Sequence, residues 1–415
     1  MSHKVYFWLL TLLFLGSCKS TIKIPGDDPI QEMVSHMVFL SSDSMEGRET
    51  GTEGEQKAAN YLATAFKKMG LKPMGSDGTY FQTFSRNHNP NPHALPTDPG
   101  ASNVTGRNVI GYIDRGATNT IVIGAHYDHI GYGAESSRST AGPEIHNGAD
   151  DNASGVTSLL FLADRLSKSK LRGNNFLIIA FSGEEKGLWG SNFFVSNLPA
   201  DLPPINYMLN MDMVGRLNAE RKLSLSGTGT SPNWNAVIDQ ANLYQFNIVK
   251  SESGMGPSDH SSFYKKDIPV LAFFTGQHED YHKPSDDIDK INFQGLRDVS
   301  NYIYQIIARL DKVGKLPFTK TKDEATAAPR FSVTLGVMPD YLYDAGGMRL
   351  DGVRDGKPAI RAGLQKNDII KKIGNFEIQD VRGYMNVLSQ FAAGDKTTVT
   401  YVRDGKEYTT ELTFD

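Results

Sequence analysis

One cysteine, Cys18, is all that this 415-residue chain contains. A disulfide framework is therefore excluded, and an exported form must be stable without one. An excess of charge of one sign is missing too. There are 43 Lys and Arg against 47 Asp and Glu, a formal net charge of -4. Nothing in that balance points to nucleic acid or to an anionic membrane surface as a partner. The apolar run from Val5 to Gly16 is too short for a stable membrane span. Internal repeats and low-complexity tracts are absent. Apolar, glycine and proline contents are those of an ordinary globular protein. At about 150 residues per domain, the length suits two domains, or one large and one small.

Lys4, the apolar run and the small residues after it make residues 1–17 a secretory signal. Cys18 stands directly after Leu15-Gly16-Ser17, a pattern that resembles the lipobox of bacterial lipoproteins. The resemblance implies that Cys18 is lipidated and becomes the mature N-terminus, with residues 18–30 as a polar tether. The chain would then be exported and lipid-anchored to a bacterial membrane, on its periplasmic or cell-surface side.

Periodicity predicts helices over residues 31–40 and 53–69, the second with Ala58, Tyr61, Leu62, Phe66 and Met69 on one face. A strand follows at 80–84. Residues 87–106, rich in Asn and Pro, read as a loop. Strands and helices then alternate: strands at 108–113 and 120–125, helix at 155–166, strand at 175–181, helix at 187–197, strand at 205–212, helix at 232–243, strand at 270–274, helix at 293–310. Such alternation predicts an α/β fold with a mostly parallel central sheet flanked by helices. Residues 311–330 read as a linker. Beyond it, residues 331–415 form a second, β-rich domain, with strands at 331–337, 397–401 and 408–414 and a helix at 382–390.

The chemistry gathers at strand ends, where open α/β sheets place their sites. The strand at 175–181 runs into Phe181-Ser-Gly-Glu184-Glu185, two adjacent acids on a glycine turn. Neighbouring residues there point in different directions, so the two carboxylates can do different work. Four further segments carry His and acids: Gly124-Ala-His126-Tyr-Asp128-His129, Asn147-Gly-Ala-Asp150-Asp151-Asn152-Ala-Ser-Gly155, Asn210-Met-Asp212-Met, and Tyr281-His282-Lys-Pro-Ser-Asp286. Taken singly, each reads more readily as a turn acid, a helix cap or a structural histidine than as a ligand. Together they supply a mixed imidazole and carboxylate set suited to two divalent ions, zinc above all. A carboxylate shared between two ions would let them polarise one water.

In their order and spacing these segments resemble the zinc peptidase family of secreted bacterial leucyl aminopeptidases, plasma glutamate carboxypeptidase and glutaminyl cyclase. The likeness covers about residues 31–310, and Met45-Glu-Gly-Arg48 with Gly51-Thr52 also fits. The resemblance implies a zinc-exopeptidase fold, two Zn2+ and peptide substrates. It implies His126 and Asp212 on one zinc, Glu185 and His282 on the other, and Asp150 bridging both, with the bond from Asp150 to Asp151 cis. Asp128 would orient the His126 ring through its carboxylate, and Glu184 would be the general base. Ser258-Asp259-His260 resembles a family segment near the site, so His260 and Tyr281 are candidate substrate contacts. His129, His146 and His278 match no ligand position and read as surface or supporting residues.

Residues 333–337 and 358–374 resemble a PDZ domain, with Asn367 at a turn position where Gly is usual. That implies a small C-terminal PDZ-like domain whose Leu335-Gly336-Val337 loop offers backbone N–H groups to the carboxylate of a chain-end ligand. The expected function is a zinc-dependent aminopeptidase acting outside the cytoplasm. A carboxypeptidase or other amide hydrolase would use the same metals. A surface-anchored peptide-binding protein would use the PDZ-like domain and only the scaffold of the other.

Overall fold

A computed structural model describes residues 30–89, 100–133, 136–139, 141–321, 333–340, 343, 345–354 and 356–415. The signal segment, Cys18 and the later part of the linker lie outside the described residues. Nine strands form the larger sheet: β1 (Lys72–Pro73), β2 (Phe81–His88), β3 (Ser102–Ile113), β4 (Thr120–His126), β5 (Asn175–Phe181), β6 (Ile205–Met211), β7 (Lys222–Ser226), β8 (Asn247–Ser251) and β9 (Val270–Phe274). Their order is β1-β3-β5-β4-β6-β9-β7-β8, with β2 paired to β3.

The centre of this sheet, β5-β4-β6-β9, is parallel. On the flanks direction reverses: β1, β2 and β5 all run antiparallel to β3, and β7, itself parallel to β8, runs antiparallel to β9. The expected mostly parallel sheet is thus a mixed one with a parallel core. The expected loop over 87–106 is a second departure. Its ends belong to a long hairpin that pairs Phe81–His88 with residues 102–109. Polar alternation in an exposed ribbon leaves no apolar run to read.

Strands β4 and β5 are buried along their whole length. Alternate residues serve opposite faces. Ile121, Ile123 and Ala125 of β4, with Phe176, Ile178 and Ala180 of β5, enter the larger core. Val122, Leu177, Ile179 and Phe181 enter the smaller one. Against the larger core pack α1 (Ile30–Leu40), α2 (Glu53–Lys68), α3 (Gly155–Ser167), α5 (Trp234–Ala241) and α7 (Phe293–Leu310). The other face is covered by α4 (Trp189–Ser196) and α6 (His260–Tyr264). Helix α7 begins where the Asn292 side chain accepts from the Gly295 amide. It buries Leu296, Val299, Ile303, Ile306, Ile307 and Leu310 on one stripe. Among the described residues no helix is long and apolar enough to cross a membrane.

The C-terminal sheet is antiparallel in every strand pair among the described residues, with order β10-β11-β12-β14-β15 and β13 beside β12. The strands are β10 (Val337–Pro339), β11 (Met348–Val353), β12 (Ile369–Ile373), β13 (Phe376–Glu377), β14 (Lys396–Arg403) and β15 (Lys406–Thr413). Helices α8 (Pro358–Arg361) and α9 (Val381–Leu388) complete it around a core of its own. Asn367 adopts the left-handed conformation expected of it, at φ 72°.

Candidate active site

The parallel strands end on one edge, and the acids and histidines gather there. His126 closes β4, Glu184 and Glu185 follow β5, and Asp212 follows β6. The turn at Gly183 takes φ +73°, and a Cβ there would lie 2.9 Å from Trp189 Cβ. Only glycine suits that conformation and that closeness.

Two clusters of donor atoms result. In the first, His126 Nε2 lies 3.4 Å from Asp151 Oδ1 and 3.4 Å from Asp212 Oδ1. In the second, His282 Nε2 lies 3.2 Å from Asp151 Oδ2 and 3.2 Å from Glu185 Oε2. His282 Nε2 nevertheless makes no hydrogen bond to either oxygen. His126 Nε2, by contrast, makes a long hydrogen bond to Asp212 Oδ1. Donors held tetrahedrally by one zinc at about 2.0–2.2 Å would stand about 3.3–3.6 Å apart. The 3.4 Å imidazole-to-carboxylate spacings of the first cluster fall in that range and the 3.2 Å spacings of the second lie just below it, and nitrogen with carboxylate oxygen is the donor chemistry zinc takes. The residues present therefore fit the metal.

The shared carboxylate is Asp151, not Asp150. Asp150 turns away: its Oδ1 accepts from the Gly215 amide at 2.7 Å, and its Oδ2 lies 3.2 Å from His278 Nε2. The cis bond likewise falls one residue later, between Asp151 and Asn152. Two adjacent aspartates are indistinguishable in sequence. The turn decides, because Asp286 Oδ2 accepts from the Asp150 and Asp151 amides at 3.0 Å each and sets the turn's rotation.

Charge explains the electrostatics. Burial works against a charged His282, but Glu185 and Asp151 outweigh it and push the imidazole up to about 10. Burial likewise opposes a charged His126, while Glu184 and Asp212 raise it well above its ordinary value. Burial works to raise Glu185, yet His282 and His129 hold it well below the usual carboxylate range. Burial lifts Glu184 well above that range, only partly opposed by His126. The pocket is short of positive charge, and cations meet that need. The two neighbouring glutamates are thus driven apart. Glu184 Oε also falls within 4.8 Å of the His126 and Asp212 donor atoms.

Asp128 supports this site differently from the expectation. His126 Nδ1 bonds to the Asp128 main-chain oxygen at 3.1 Å, while the carboxylate is 3.8 Å away. The carboxylate instead accepts from Thr50 Oγ1 at 2.9 Å and from the Glu184 amide at 3.2 Å. It therefore ties the His126 strand end to the Glu184 turn. Tyr281 stacks on His282 with ring centres 3.9 Å apart, and the Arg138 guanidinium lies 4.5 Å from the Tyr281 ring centre. His260 is buried, and neither of its ring nitrogens finds a partner among the described residues.

Three supporting residues were given no part in the site by the sequence reading. Arg48, fully buried, donates to the carbonyls of Leu40, Tyr127, Asn147 and Gly148. Asn152 donates to the Met211 and His126 carbonyls and accepts from the Gly155 and Met213 amides. Asp286 holds the Asp150 turn. Arg48 and Asp286 sit inside segments already recognised, and Asn152 is the expected cap of α3. What their sequence could not show is that each joins separate strand ends. In the C-terminal domain, the Gly336 amide donates to Thr334 Oγ1 at 3.0 Å, and the Leu335 and Gly336 carbonyls accept from Ala359 and Arg354. The Gly336 N–H is thus already engaged within its own loop, and Leu335 is buried.

Residues 108–307 match the sequence model of peptidase family M28. That segment belongs to peptidase family M28. Residues 333–414 match the PDZ domain. Leucine aminopeptidase 2 of Trichophyton rubrum is 32% identical over 169 residues, 38% of this chain and 31% of that protein. The chain thus spans about a third of the length of such curated relatives. Among solved structures, a Zn-dependent exopeptidase from Parabacteroides distasonis is similar at TM-score 0.54 and 18% identity, covering 68% of this chain and 98% of that one. Porphyromonas gingivalis glutaminyl cyclase is similar with the same TM-score, identity and coverage. At such identity these two likenesses speak for the fold alone.

Proposed function

We propose that this chain is a di-zinc aminopeptidase of the M28 type that releases N-terminal residues from peptides outside the cytoplasm. The observation that carries the reading is the pair of three-donor clusters sharing Asp151, with Glu184 beside them. His126, Asp212 and Asp151 would hold one zinc, and Glu185, His282 and Asp151 the other. When bound, the two ions would supply Lewis-acid polarisation of the scissile carbonyl and of the attacking water. Glu184 takes the water's proton and returns it to the leaving amine. Its burial favours that role, because a base poised above the ordinary carboxylate range can give the proton back. Asp128 holds the Glu184 main chain in place through the amide bond. The PDZ domain would capture the free carboxylate end of a peptide chain along β10.

The test is a peptide panel with free or acetylated N-termini, each made with a free or an amidated C-terminus. Cleavage restricted to free N-termini, lost on chelation and regained with zinc, is expected. Cleavage of acetylated peptides at equal rates would sink the aminopeptidase reading. Free-acid peptides should bind more tightly than amidated ones; equal binding would remove the chain-end role of the PDZ domain.

Export and anchoring through Cys18 belong to the same proposal, on the lipobox-like Leu15-Gly16-Ser17-Cys18. Cys18→Ser should move the protein from the sedimenting membrane fraction to the soluble one. If the variant sediments like the parent, the lipid anchor is wrong.

A further inference from the structure

His129 lies outside the seven residues given roles in the proposed chemistry, yet it is buried beside two of them, Glu185 and Asp151. We infer that His129 is a positioning residue that fixes which oxygen of Glu185 faces the metal pocket. The inference rests on the two-zinc reading above.

The His129 amide donates to the Arg48 carbonyl at 3.3 Å, which places the residue just behind the β4 end. Its ring lies close against Gly148, in the loop before Asp151. A Cβ at Gly148, where φ is +54°, would stand 2.5 Å from His129 Cδ2. A glycine there lets the imidazole close in. His129 Nδ1 is 2.9 Å from Glu185 Oε1. An ionised carboxylate can only accept, so Nδ1 carries the proton and donates. Nε2 finds no partner among the described residues. The Glu185 bond is therefore the only hydrogen bond the ring makes there.

That bond divides the carboxylate. Oε1 is committed to the imidazole N–H, and Oε2 is the oxygen 3.2 Å from His282 Nε2. With Oε1 occupied, Glu185 offers one oxygen to the pocket rather than two. The two imidazoles stand at 76° with centres 5.7 Å apart, and each meets a different oxygen of Glu185. Support of this kind behind a metal-binding carboxylate is worth about 10–100-fold in metal affinity. His129 Nδ1 also lies 3.8 Å from Asp151 Oδ2, so direct metal ligation is the competing role that the test must separate.

The experiment uses the full chain, with zinc affinities measured by competition against a chromophoric chelator and with visible spectra of the cobalt-substituted protein. His129→Phe keeps the ring's bulk and removes the N–H. It should weaken one of two zinc sites by about 10–100-fold and leave the other within about threefold. His129→Asn places an amide donor near the Nδ1 position and should recover most of the loss. In a Glu185→Gln background, His129→Phe should add little further, and KM at saturating zinc should stay within about twofold. Parent-like zinc affinities in His129→Phe overturn the inference. So does complete loss of one site that Asn does not restore, together with a changed cobalt spectrum, since that marks a ligand rather than a support. Loss of both sites with an early unfolding transition in both variants overturns it too, as damage to the fold. A parent protein that binds no zinc would instead bring down the di-zinc reading.

Discussion

Glu184→Gln should leave a protein that binds zinc as the parent does and hydrolyses free peptides about 10²–10⁴-fold more slowly, the span ascribed to a positioned general base. The two neighbours at the end of β5 make the reason visible. Glu185 is held ionised by His282 and His129 and directs its oxygens at them. Glu184 makes its fixed bond through its amide, to Asp128 Oδ1. Its own carboxyl is kept high by burial, beside the His126 and Asp212 donor atoms. A glutamine keeps the shape and the amide bond but cannot take a proton. Zinc content by elemental analysis and steady-state rates decide the matter. A variant retaining more than about a tenth of the parent rate would remove Glu184 from the chemistry. A variant that loses its zinc would instead make Glu184 a ligand.

Asp151→Asn and Asp150→Asn should behave oppositely, although the residues are adjacent and identical. Asp151 touches both donor clusters, one oxygen to each. The amide that replaces it keeps one acceptor oxygen and loses the negative charge that both clusters share. Bound zinc should fall below two per chain. Loss of about 4 kcal/mol of metal-derived stabilisation corresponds to roughly 10³-fold in kcat/KM. Asp150→Asn should keep both zinc ions and stay within about tenfold in rate. Its cost belongs to stability, about 1–3 kcal/mol for a disturbed buried hydrogen-bond pair with Gly215 and His278. Metal stoichiometry and urea midpoints of the two variants give the answer. If Asp150→Asn is the one that loses zinc, the assignment of the shared carboxylate to Asp151 is wrong.

The buried framework was legible because it rests on local pattern. Strands 175–181 and 270–274 and the helix at 293–310 coincide with β5, β9 and α7. Continuous apolar runs and an amphipathic stripe survive whatever surrounds them. Strands β7 and β8 went unread. Lys222-Leu-Ser-Leu-Ser and Asn247-Ile-Val-Lys-Ser carry few apolar residues, and β8 has a neighbour on one side only. Such strands form because a sheet beside them offers hydrogen bonds, which their own sequence does not announce. The antiparallel flanks escaped for the same reason, since strand direction is a property of the pairing.

The division holds at the Glu184-Glu185 turn and its partners. Residue types and spacing alone determined that two histidines and several acids lie at successive strand ends, and that their number suits two metal ions. Composition excluded disulfides, and it offered no charge for nucleic acid. Only the tertiary structure decided which of two aspartates faces both clusters, that Asp128 steadies His126 through its main chain, and that His129 stands behind Glu185. Those choices depend on turn rotation and on contacts between segments 56 to 136 residues apart. Neither is a local quantity. Sequence specifies which groups can meet; the packing of Asp286, Arg48 and Gly148 around the turn settles which atoms do.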